Sequence, residues 1–586
     1  MSSQVANNDF FKSKVLGHPA GLFVLFFTEM WERFSFYGMR VLLINFLTFS
    51  VLGDNPGWEW SPENAAALYG TYAMLLYITP IFGGILADRY IGYRWAVVIG
   101  SIIMTLGHVS MAIETPLFLY IGLGLLVIGT GFFKPNMTSI LSEMYKGHSD
   151  KKDGAYTIFY MGVNAGAFFG MMLCGYLAEN VGWSWGFGLA GVFMFFGTLQ
   201  FWLAKPLFGT IGEVPSKADR IAAEEAAKTS LNAEDKRNPF TIVDKLLIVV
   251  TTVIGLLYAF NDPLSKIGNI NLFPFKAGSV DGQNVMVLIA LILFLVLVIT
   301  RIARYTTVVR DRMIAVVVFA FFTVFFWMSF EQGASSLVIF ARDNVDRALE
   351  GNSLMTFNIV NTLLTIVPLI IVTWVLILLA KQTWSRIPGS NIVLAICFMG
   401  VWGVAVWMLY QYFTADKSEI TVSWFSILNS FFIITFASSI SKIWDSKYNP
   451  SAAVKYGLGL IVMAIGFGLL AFGAYGVTEG VKVSMIWLVL AYLFHTLGEL
   501  CLSPVGLSYV SKLVPARMIA FMFGMWYLAI AIGNKLAAIL GGQIENITKQ
   551  YSLSTFFLIF TVVPIIAGLI VMSLNPILKK LMHGVK

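Results

Sequence analysis

The chain contains 586 residues, of which 58% are hydrophobic, 15% are aromatic and only 12% are charged. Soluble domains carry about 25% charged residues, so this composition excludes a soluble enzyme with a single anchor and indicates an all-α polytopic membrane protein. The formal net charge of +7 does not indicate nucleic-acid binding, because the basic residues of a membrane protein collect in its cytoplasmic loops.

Residues 1–19 are polar and lack the basic start, apolar core and cleavage site of a signal peptide, so we expect a cytoplasmic N-terminal segment. Apolar runs of about 20 residues, the length of a membrane-spanning helix, follow almost to the end of the chain. We predict roughly sixteen spans, near 20–50, 65–87, 93–113, 115–144, 154–178, 183–204, 240–261, 285–304, 312–341, 354–380, 389–413, 420–443, 453–477, 483–510, 517–542 and 553–578.

The placement of lysine and arginine predicts that both termini are cytoplasmic. The charged loop at 205–239 and the arginines at 301–312 lie on the side of the N-terminus in this arrangement. On the opposite side, residues 51–64 include acidic residues and no lysine or arginine. A multi-pass protein of the cell membrane, the inner membrane in a bacterium, is the expected location.

The first span contains the segment EMWERFSFYGMR, which places four charges in twelve residues of an apolar run. At 100° per residue, Glu29, Glu32, Arg33, Tyr37 and Arg40 fall within an arc of about 140° on one helix face. A charge at mid-bilayer costs about 2.5–3.5 kcal/mol, so this stripe faces a cavity or a partner. A static ion-pair network that only locks helices together is the alternative.

Other charged residues interrupt later spans. Lys134 precedes Pro135 in the fourth span, Glu331 lies inside the ninth, and Glu499 interrupts a late apolar run. Opposite charges on separate helices suggest exchangeable ion pairs, and a carboxylate in a low dielectric binds protons more tightly. This combination suits proton-driven transport. His495, one turn before Glu499, either tunes the protonation of that carboxylate or is a packed or water-lining histidine.

Several segments resemble one family, the proton-dependent oligopeptide transporters of the major facilitator superfamily, in its bacterial form. The resemblance covers about 20–343 and 420–578 and rests on six motifs: ExxERF with YG from Glu29, GGILADRYIGYRW from Gly83, FYMGVNAGAFFG from Phe159, FEQGASSL from Phe330, GELCLSPVGLS around Glu499 and GMWYLAIAIGNKLA from Gly524. In the second motif, Asp88, Arg89 and Arg94 occupy the superfamily's conformational loop between spans two and three.

The resemblance implies two six-helix bundles around a central cavity, with an extra helical pair between them. The corresponding units are a cytoplasmic segment at 1–19, an N-terminal bundle at 20–204, a cytoplasmic loop at 205–239, an inter-bundle pair at 240–304, a C-terminal bundle at 312–350 and 420–578, a second inserted pair at 351–419 and a cytoplasmic tail at 579–586. The inserted pair has no place in the common family plan.

The resemblance also implies roles for individual residues. The proton-coupling group is Glu29, Glu32, Arg33, Lys134 and Glu331, and the gating salt bridge joins Arg40 to Glu331. The substrate-binding residues are Arg33, Tyr37, Tyr77, Lys134, Asn164, Trp327, Asn429, Glu499 and Trp526. Cations would hold the carboxylate end of a peptide, and Asn164 with Glu499 would hold its amino end.

This sequence departs from the family pattern at three points. Phe36 stands where many members have tyrosine, and Phe330 precedes Glu331 where some have a second acid. The motif SWFSILNS at Ser423 supplies Asn429 but lacks the usual proline, and NIVNTLLTIVP at Asn358 faintly resembles the same span. We prefer Asn429, because the expected ninth-span motif follows it at the right spacing.

We therefore predict a proton-coupled symporter that imports di- and tripeptides by alternating access. A family member with another substrate, such as nitrate, an amino-acid conjugate or a drug-like compound, is the first alternative. A polytopic membrane enzyme or receptor is the second, but the sequence contains no catalytic constellation, phosphate-binding loop or metal-ligand spacing. We expect no cofactor, no metal and no nucleic-acid partner, with peptides, protons and the bilayer as partners of a functional monomer.

Overall fold

The computed structural model describes residues 13–146, 148–214, 216–229, 233–444, 446–477 and 480–585. The first twelve residues of the expected cytoplasmic segment, the last residue of the tail, and residues 215 and 230–232 of the loop at 205–239 lie outside this description.

Sixteen long helices account for most of the described chain. In order they are α1 Ala20–Thr48, α2 Pro62–Leu86, α3 Tyr93–Met111, α4 Pro116–Met144, α5 Ser149–Asn180, α6 Trp183–Leu203, α7 Ile242–Lys266, α8 Gly282–Ala303, α9 Thr307–Asp343, α10 Gly351–Thr383, α11 Pro388–Thr414, α12 Val422–Trp444, α13 Ala452–Gly473, α14 Met485–Leu513, α15 Ile519–Gly541 and α16 Leu553–Ser573.

Shorter elements connect these helices. One turn of 3₁₀ helix, Glu331–Ala334, interrupts α9, and a π-helical turn, Ala87–Ile91, extends α2. Short helices cover Lys205–Phe208, Lys217–Thr229, Ala233–Arg237, Ala516–Met518, Ile544–Gln550 and Asn575–Leu581. Short strands pair as β1 Lys14–Val15 with β2 His18–Pro19, β3 Lys276–Ala277 with β4 Val280–Asp281, β5 Val345–Asp346 with β8 Val483–Ser484, and β6 Ala348–Glu350 with β7 Lys417–Glu419. The β5–β8 pair is parallel and the other three are antiparallel.

Local sequence explains where these helices begin. Ser61 accepts a hydrogen bond from the Asn64 backbone N–H at 3.2 Å, and Pro62 occupies the first helical position of α2. Thr241 and Asp244 form a reciprocal capping box at the start of α7. Both devices satisfy N–H groups that a helix leaves without internal partners, and this matters more in a bilayer than in water.

Fifteen of the described helices are long and apolar enough to cross a membrane. Helix α1 has the length to span but carries four charges, and it packs centrally against α5 and α6. These sixteen helices correspond to the sixteen spans predicted from the sequence, because runs of about 20 apolar residues in a membrane protein have one stable conformation.

Helices α1–α6 form one bundle, and α9 with α12–α16 form a second. In the first, α1 packs on α5 and α6, and α3 packs on α4. Backbones approach closely there, since a Cβ atom on Gly100 would lie 2.7 Å from the carbonyl oxygen of Gly129. In the second, α13 packs on α14 and α16, and α9 packs on α15. Small residues at such crossings are the usual means of close packing between membrane helices.

The two bundles meet along two seams. One joins α2 to α15, and the other joins α5 to α12. The pair α7–α8 lies along the first seam, where the Thr71 hydroxyl of α2 donates to the Ala259 carbonyl of α7 at 2.7 Å.

The second pair, α10–α11, lies along the other seam and contacts both bundles. Helix α11 packs on α6, and the Phe398 ring contacts Phe27 and Trp31 of α1 with centroids 5.6 and 5.5 Å away. Towards the other bundle, the Trp424 indole of α12 donates to Asn361 of α10 at 3.1 Å. A pair that follows α9 in the chain is therefore packed mainly against the first bundle.

Candidate functional site

A cavity of about 280 Å³ lies between the two bundles. Its wall includes ten of the residues singled out in the sequence, contributed by both bundles: Arg33, Tyr37, Arg40, Tyr77, Lys134, Asn164, Trp327, Glu331, Asn429 and Glu499. The cavity therefore brings together charged residues that lie more than 450 positions apart in the chain.

The stripe on α1 is a compact charge cluster. The Arg33 Nε lies 2.8 Å from Glu29 Oε1 and 2.8 Å from Glu32 Oε2. The Glu29 contact is an aligned hydrogen bond, whereas neither Glu32 oxygen has a hydrogen-bond partner among the described residues. Glu29 and Glu32 are buried behind Arg33, which itself reaches the cavity wall.

Lys134 projects from α4 towards the same cavity. Its Nζ lies 5.1 Å from the centroid of the Tyr77 ring, a cation–π distance. Within the described parts of the chain, this ammonium group has no carboxylate within ion-pair distance. Pro135 follows inside the helix and removes one backbone donor.

Arg40 joins the two bundles at one end of the cavity. Its guanidinium forms an ion pair with Glu331 of α9, and its Nε donates to the Tyr69 hydroxyl at 2.8 Å. The Tyr69 hydroxyl in turn donates to Glu331 at 3.3 Å. Glu331 is placed by the 3₁₀ turn that interrupts α9, which directs a carboxylate inward from an apolar helix. The structure thus pairs the two residues predicted to form a gate.

Glu499 lies on α14 and is held by an amide rather than by a cation. The Asn429 Nδ2 donates to Glu499 Oε2 at 3.1 Å and lies 3.1 Å from the Thr496 hydroxyl. Among the described residues, Glu499 forms no ion pair. Within the part of the chain that the structure describes, the cavity wall therefore presents a carboxylate, Glu499, with no cationic partner and a cation, Lys134, with no anionic partner.

Of the other residues predicted to bind substrate, some line the cavity wall and one is buried behind it. Asn164 lines the cavity and donates to its own helix, at the Tyr160 carbonyl, at 3.0 Å. Trp327 also lines it. Trp526 does not: it is buried, and its ring centroid lies 6.4 Å from that of Tyr456. The structure thus places one predicted substrate-binding tryptophan behind the wall.

The predicted conformational loop lies at the end of α2, away from the cavity. Asp88 and Arg89 belong to the π-helical turn, which ends at Gly92 with φ of 76°. Arg94 reaches from α3 to the segment after α6, with 2.7 Å contacts to Glu213 Oε1 and to the Gly209 carbonyl. These contacts fasten the loop to the start of the long connection between the bundles.

The cavity wall also contains polar residues that the sequence did not single out: Tyr69, Tyr72, Tyr160, Ser426, Tyr492 and Asn534. A tyrosine in an apolar span gives the same pattern whether it packs or faces water, so only the spacing of Tyr69 and Tyr72 ahead of Tyr77 offered a signal. His495 lines the wall and lies against Phe467, with ring centroids 4.3 Å apart.

Asn358 and Asn429 were alternative candidates for the same span. The structure places Asn429 on the cavity wall and Asn358 in the inserted pair, where its amide donates to the Tyr412 carbonyl at 2.9 Å. Within the described residues, no group of His, Cys, Asp or Glu is arranged to bind a metal ion.

Known structures define the class to which this fold and cavity belong. A crystal structure of the peptide transporter POT in complex with sulfate is 28% identical, with a TM-score of 0.70 and complete coverage of both chains. Two six-helix bundles around a central polar cavity, together with this likeness, define a membrane transporter of the major facilitator fold.

The particular family follows from the sequence comparisons. The model of the POT family matches residues 94–388 and 406–559, and the chain belongs to this family. Peptide transporter YePEPT of Yersinia enterocolitica is 29% identical over 580 residues, covering 97% of this chain and 96% of that protein. A di-/tripeptide transporter of Lactococcus lactis is 27% identical over 576 residues, covering 97% and 98% of the two chains.

Proposed function

We propose that this protein is a proton-coupled symporter that imports di- and tripeptides by alternating access of its two bundles. One observation carries the proposal. Lys134 and Glu499 line the same cavity from different bundles, and neither has an oppositely charged partner among the described residues.

A short peptide at neutral pH supplies the two missing partners. Its carboxylate would bind Lys134 and the neighbouring Arg33, with Tyr37 and Tyr77 beside them. Its ammonium group would bind Glu499, with Asn164 on the facing helix. Recognition through the two backbone charges leaves side chains to apolar wall residues such as Trp327, so many peptides would fit. The names of the Yersinia and Lactococcus relatives agree with this substrate class.

The α1 cluster would carry the proton. Glu32 is fully buried, and a proton on it would leave Arg33 with Glu29 as its one ion-pair partner among the described residues. Arg33 could then turn towards the peptide carboxylate. The Arg40–Glu331 pair would close the cavity at one end, and protonation of Glu331 would release it. These steps couple the entry of a proton to the binding and release of peptide.

The orientation supports import into the cytoplasm. Both termini and the loop at 205–239 would be cytoplasmic in the cell membrane, since the basic loops cluster on that side. Trp526, buried beside Tyr456, would shape the bundle behind the wall, and Asp88, Arg89 and Arg94 would brace the cytoplasmic end. The protein would work as a monomer, because the whole cavity is built by one chain.

Uptake by purified protein in liposomes tests the proposal. An inward proton gradient should drive accumulation of labelled dialanine, and Lys134→Gln and Glu499→Gln should each abolish it. Equilibrium binding of capped peptides to the purified proteins locates the poles: N-acetyl-dialanine should bind the wild type more weakly than dialanine does, and Glu499→Gln should remove that difference. Dialanine amide should likewise bind the wild type more weakly than dialanine does, and Lys134→Gln should remove that difference. Gradient-independent uptake, or equal effects of both caps on both variants, would refute the assignment.

A further inference from the structure

A carboxylate of the first bundle caps a helix of the second bundle, outside the cavity. Glu179 lies one residue before the end of α5, and its Oε2 accepts a hydrogen bond from the Val422 backbone N–H at 2.9 Å. Its Oε1 accepts from the Ser423 backbone N–H at 3.2 Å. Val422 and Ser423 are the first two residues of α12, where N–H groups have no partner within the helix.

This contact is stronger than an ordinary side-chain hydrogen bond between helices. Both bonds are charge-assisted, and the negative charge lies at the positive end of the α12 dipole. Helix caps normally come from the residue just before the helix. Here the cap comes from a residue 243 positions earlier in the chain.

The same two helices touch through a glycine one turn before Glu179. A Cβ atom added to Gly175 would overlap the side chain of Ser423. The backbone of α5 therefore lies directly against the start of α12. The cap and this close approach are independent observations that both fix the two helix ends together.

These contacts lie at the end of the molecule where α1 and α9 also end. Arg342 near the end of α9 donates to the Thr48 hydroxyl at 2.7 Å, and Arg40 with Glu331 lies further in. In the proposed orientation this end is extracellular. The contacts thus close the cavity to the outside on the α5–α12 seam.

We propose that Glu179 is a positioning residue that locks the outer end of α12 to α5 while the cavity is closed to the outside. Outward opening separates the two ends and breaks both bonds. Helix α12 carries Ser426 and Asn429 into the cavity, so its release also changes the support of Glu499. This inference rests on the proposed alternating access.

Nearby charges do not replace the cap. The Arg347 guanidinium lies close to Glu179, but it is engaged with Glu419 at 3.0 Å and with the Ile420 carbonyl at 2.5 Å. Arg347 therefore holds the segment that leads into α12, and Glu179 holds the helix itself.

Distances between spin labels at Val181 and Tyr551 test the lock directly. Both positions are exposed in loops at the outer end, one in each bundle. Glu179→Ala should raise the ratio of open to closed molecules about tenfold, because two charge-assisted bonds are lost only in the closed state. Glu545→Gln, which alters an exposed ion pair with Lys549, is the matched control and should leave the ratio unchanged.

The backbone partner can be removed as well. Proline is tolerated at the first position of a helix, so Val422→Pro deletes one N–H donor without breaking α12. It should raise the open fraction less than Glu179→Ala, and the double variant should match Glu179→Ala alone or exceed it only slightly. Full additivity, or an unchanged ratio in both single variants, would overturn the proposal.

Two further measurements separate a lock from a general loss of stability. Gly175→Ala should raise the open fraction although Glu179 is intact, because the new methyl group would overlap Ser423. Adding Ser423→Gly to this variant should lower the open fraction again, because it removes the overlapping side chain. In transport, Glu179→Ala should lower the external KM for dialanine while lowering kcat, since more carriers face outward but close slowly. A fall in the apparent kcat with unchanged KM would indicate a smaller fraction of active carriers and reject the lock. The label distances do not depend on peptide transport, so the lock and the proposed substrate can fail separately.

Discussion

Replacing Glu331 by glutamine should shift the protein towards the outward-open state. In the closed structure, Glu331 is buried and pairs with Arg40 from the other bundle, while Tyr69 bridges the two. Glutamine keeps the size and one acceptor but removes the charge. Arg40 would then be left without an anion in the closed state, whereas in the open state water would solvate it.

The structure sets the size of this shift. Loss of one partner of a buried ion pair costs about 3–5 kcal/mol, and the Tyr69 hydroxyl and the remaining amide oxygen place this case at the lower end. A cost of about 3 kcal/mol corresponds to roughly a 150-fold change in the ratio of the two states. If about 1% of wild-type molecules face outward, most molecules of the variant should do so.

Double electron–electron resonance between labels at Leu52 and Tyr475 would measure the two populations. Both residues lie in exposed loops at the end where Arg40 and Glu331 meet. The matched control is Glu350→Gln, which removes the exposed ion pair with Lys417 and should change nothing. An unchanged distance distribution in Glu331→Gln would refute the reasoning. So would a double variant in which Arg40→Gln opens the protein further by as much as Glu331→Gln alone does.

Three further predictions concern the cavity and its frame. Asn429→Ala should raise the KM for dialanine about tenfold, because the Glu499 carboxylate loses the only hydrogen bond that it has among the described residues. A competitor with an acetylated amino end should be unaffected. Glu32→Gln should abolish the acceleration of uptake by an acidic exterior yet retain counterflow exchange of peptide, and loss of both activities would contradict a proton-specific role. Gly83→Val should lower the unfolding temperature by several degrees in detergent, because the new side chain meets the backbone of α4, whereas Gly124→Ala meets nothing within 4 Å and serves as the control.

The sixteen spans could be predicted because span length and apolar composition are local properties. Helix α3, at Tyr93–Met111, begins at the residue where the predicted span begins. Charges in apolar runs were equally informative, since their cost in a bilayer has few explanations. The cost of a charge in an apolar span predicts that Lys134, Glu331 and Glu499 face a cavity or a partner. The structure places all three on the wall of one cavity.

The parts that escaped prediction depend on contacts between distant segments. Trp526 and Trp327 look alike in sequence, but Trp327 lines the wall, whereas Trp526 is buried beside Tyr456. Glu179 resembles an ordinary charge at the end of a span until α12 is placed against it. No local pattern records which helix end will need a cap from another bundle.

The packing of the pair α10–α11 has a consequence for how the protein is made. Phe398 completes the surface of α1 beside Phe27 and Trp31, yet it is synthesised more than 360 residues later. The first bundle therefore leaves the ribosome with an unfilled flank that only lipid or an insertion factor can cover. Its folding in the membrane should finish only after residue 414 has been inserted, so truncation before α10 should yield a first bundle that proteases cut more readily.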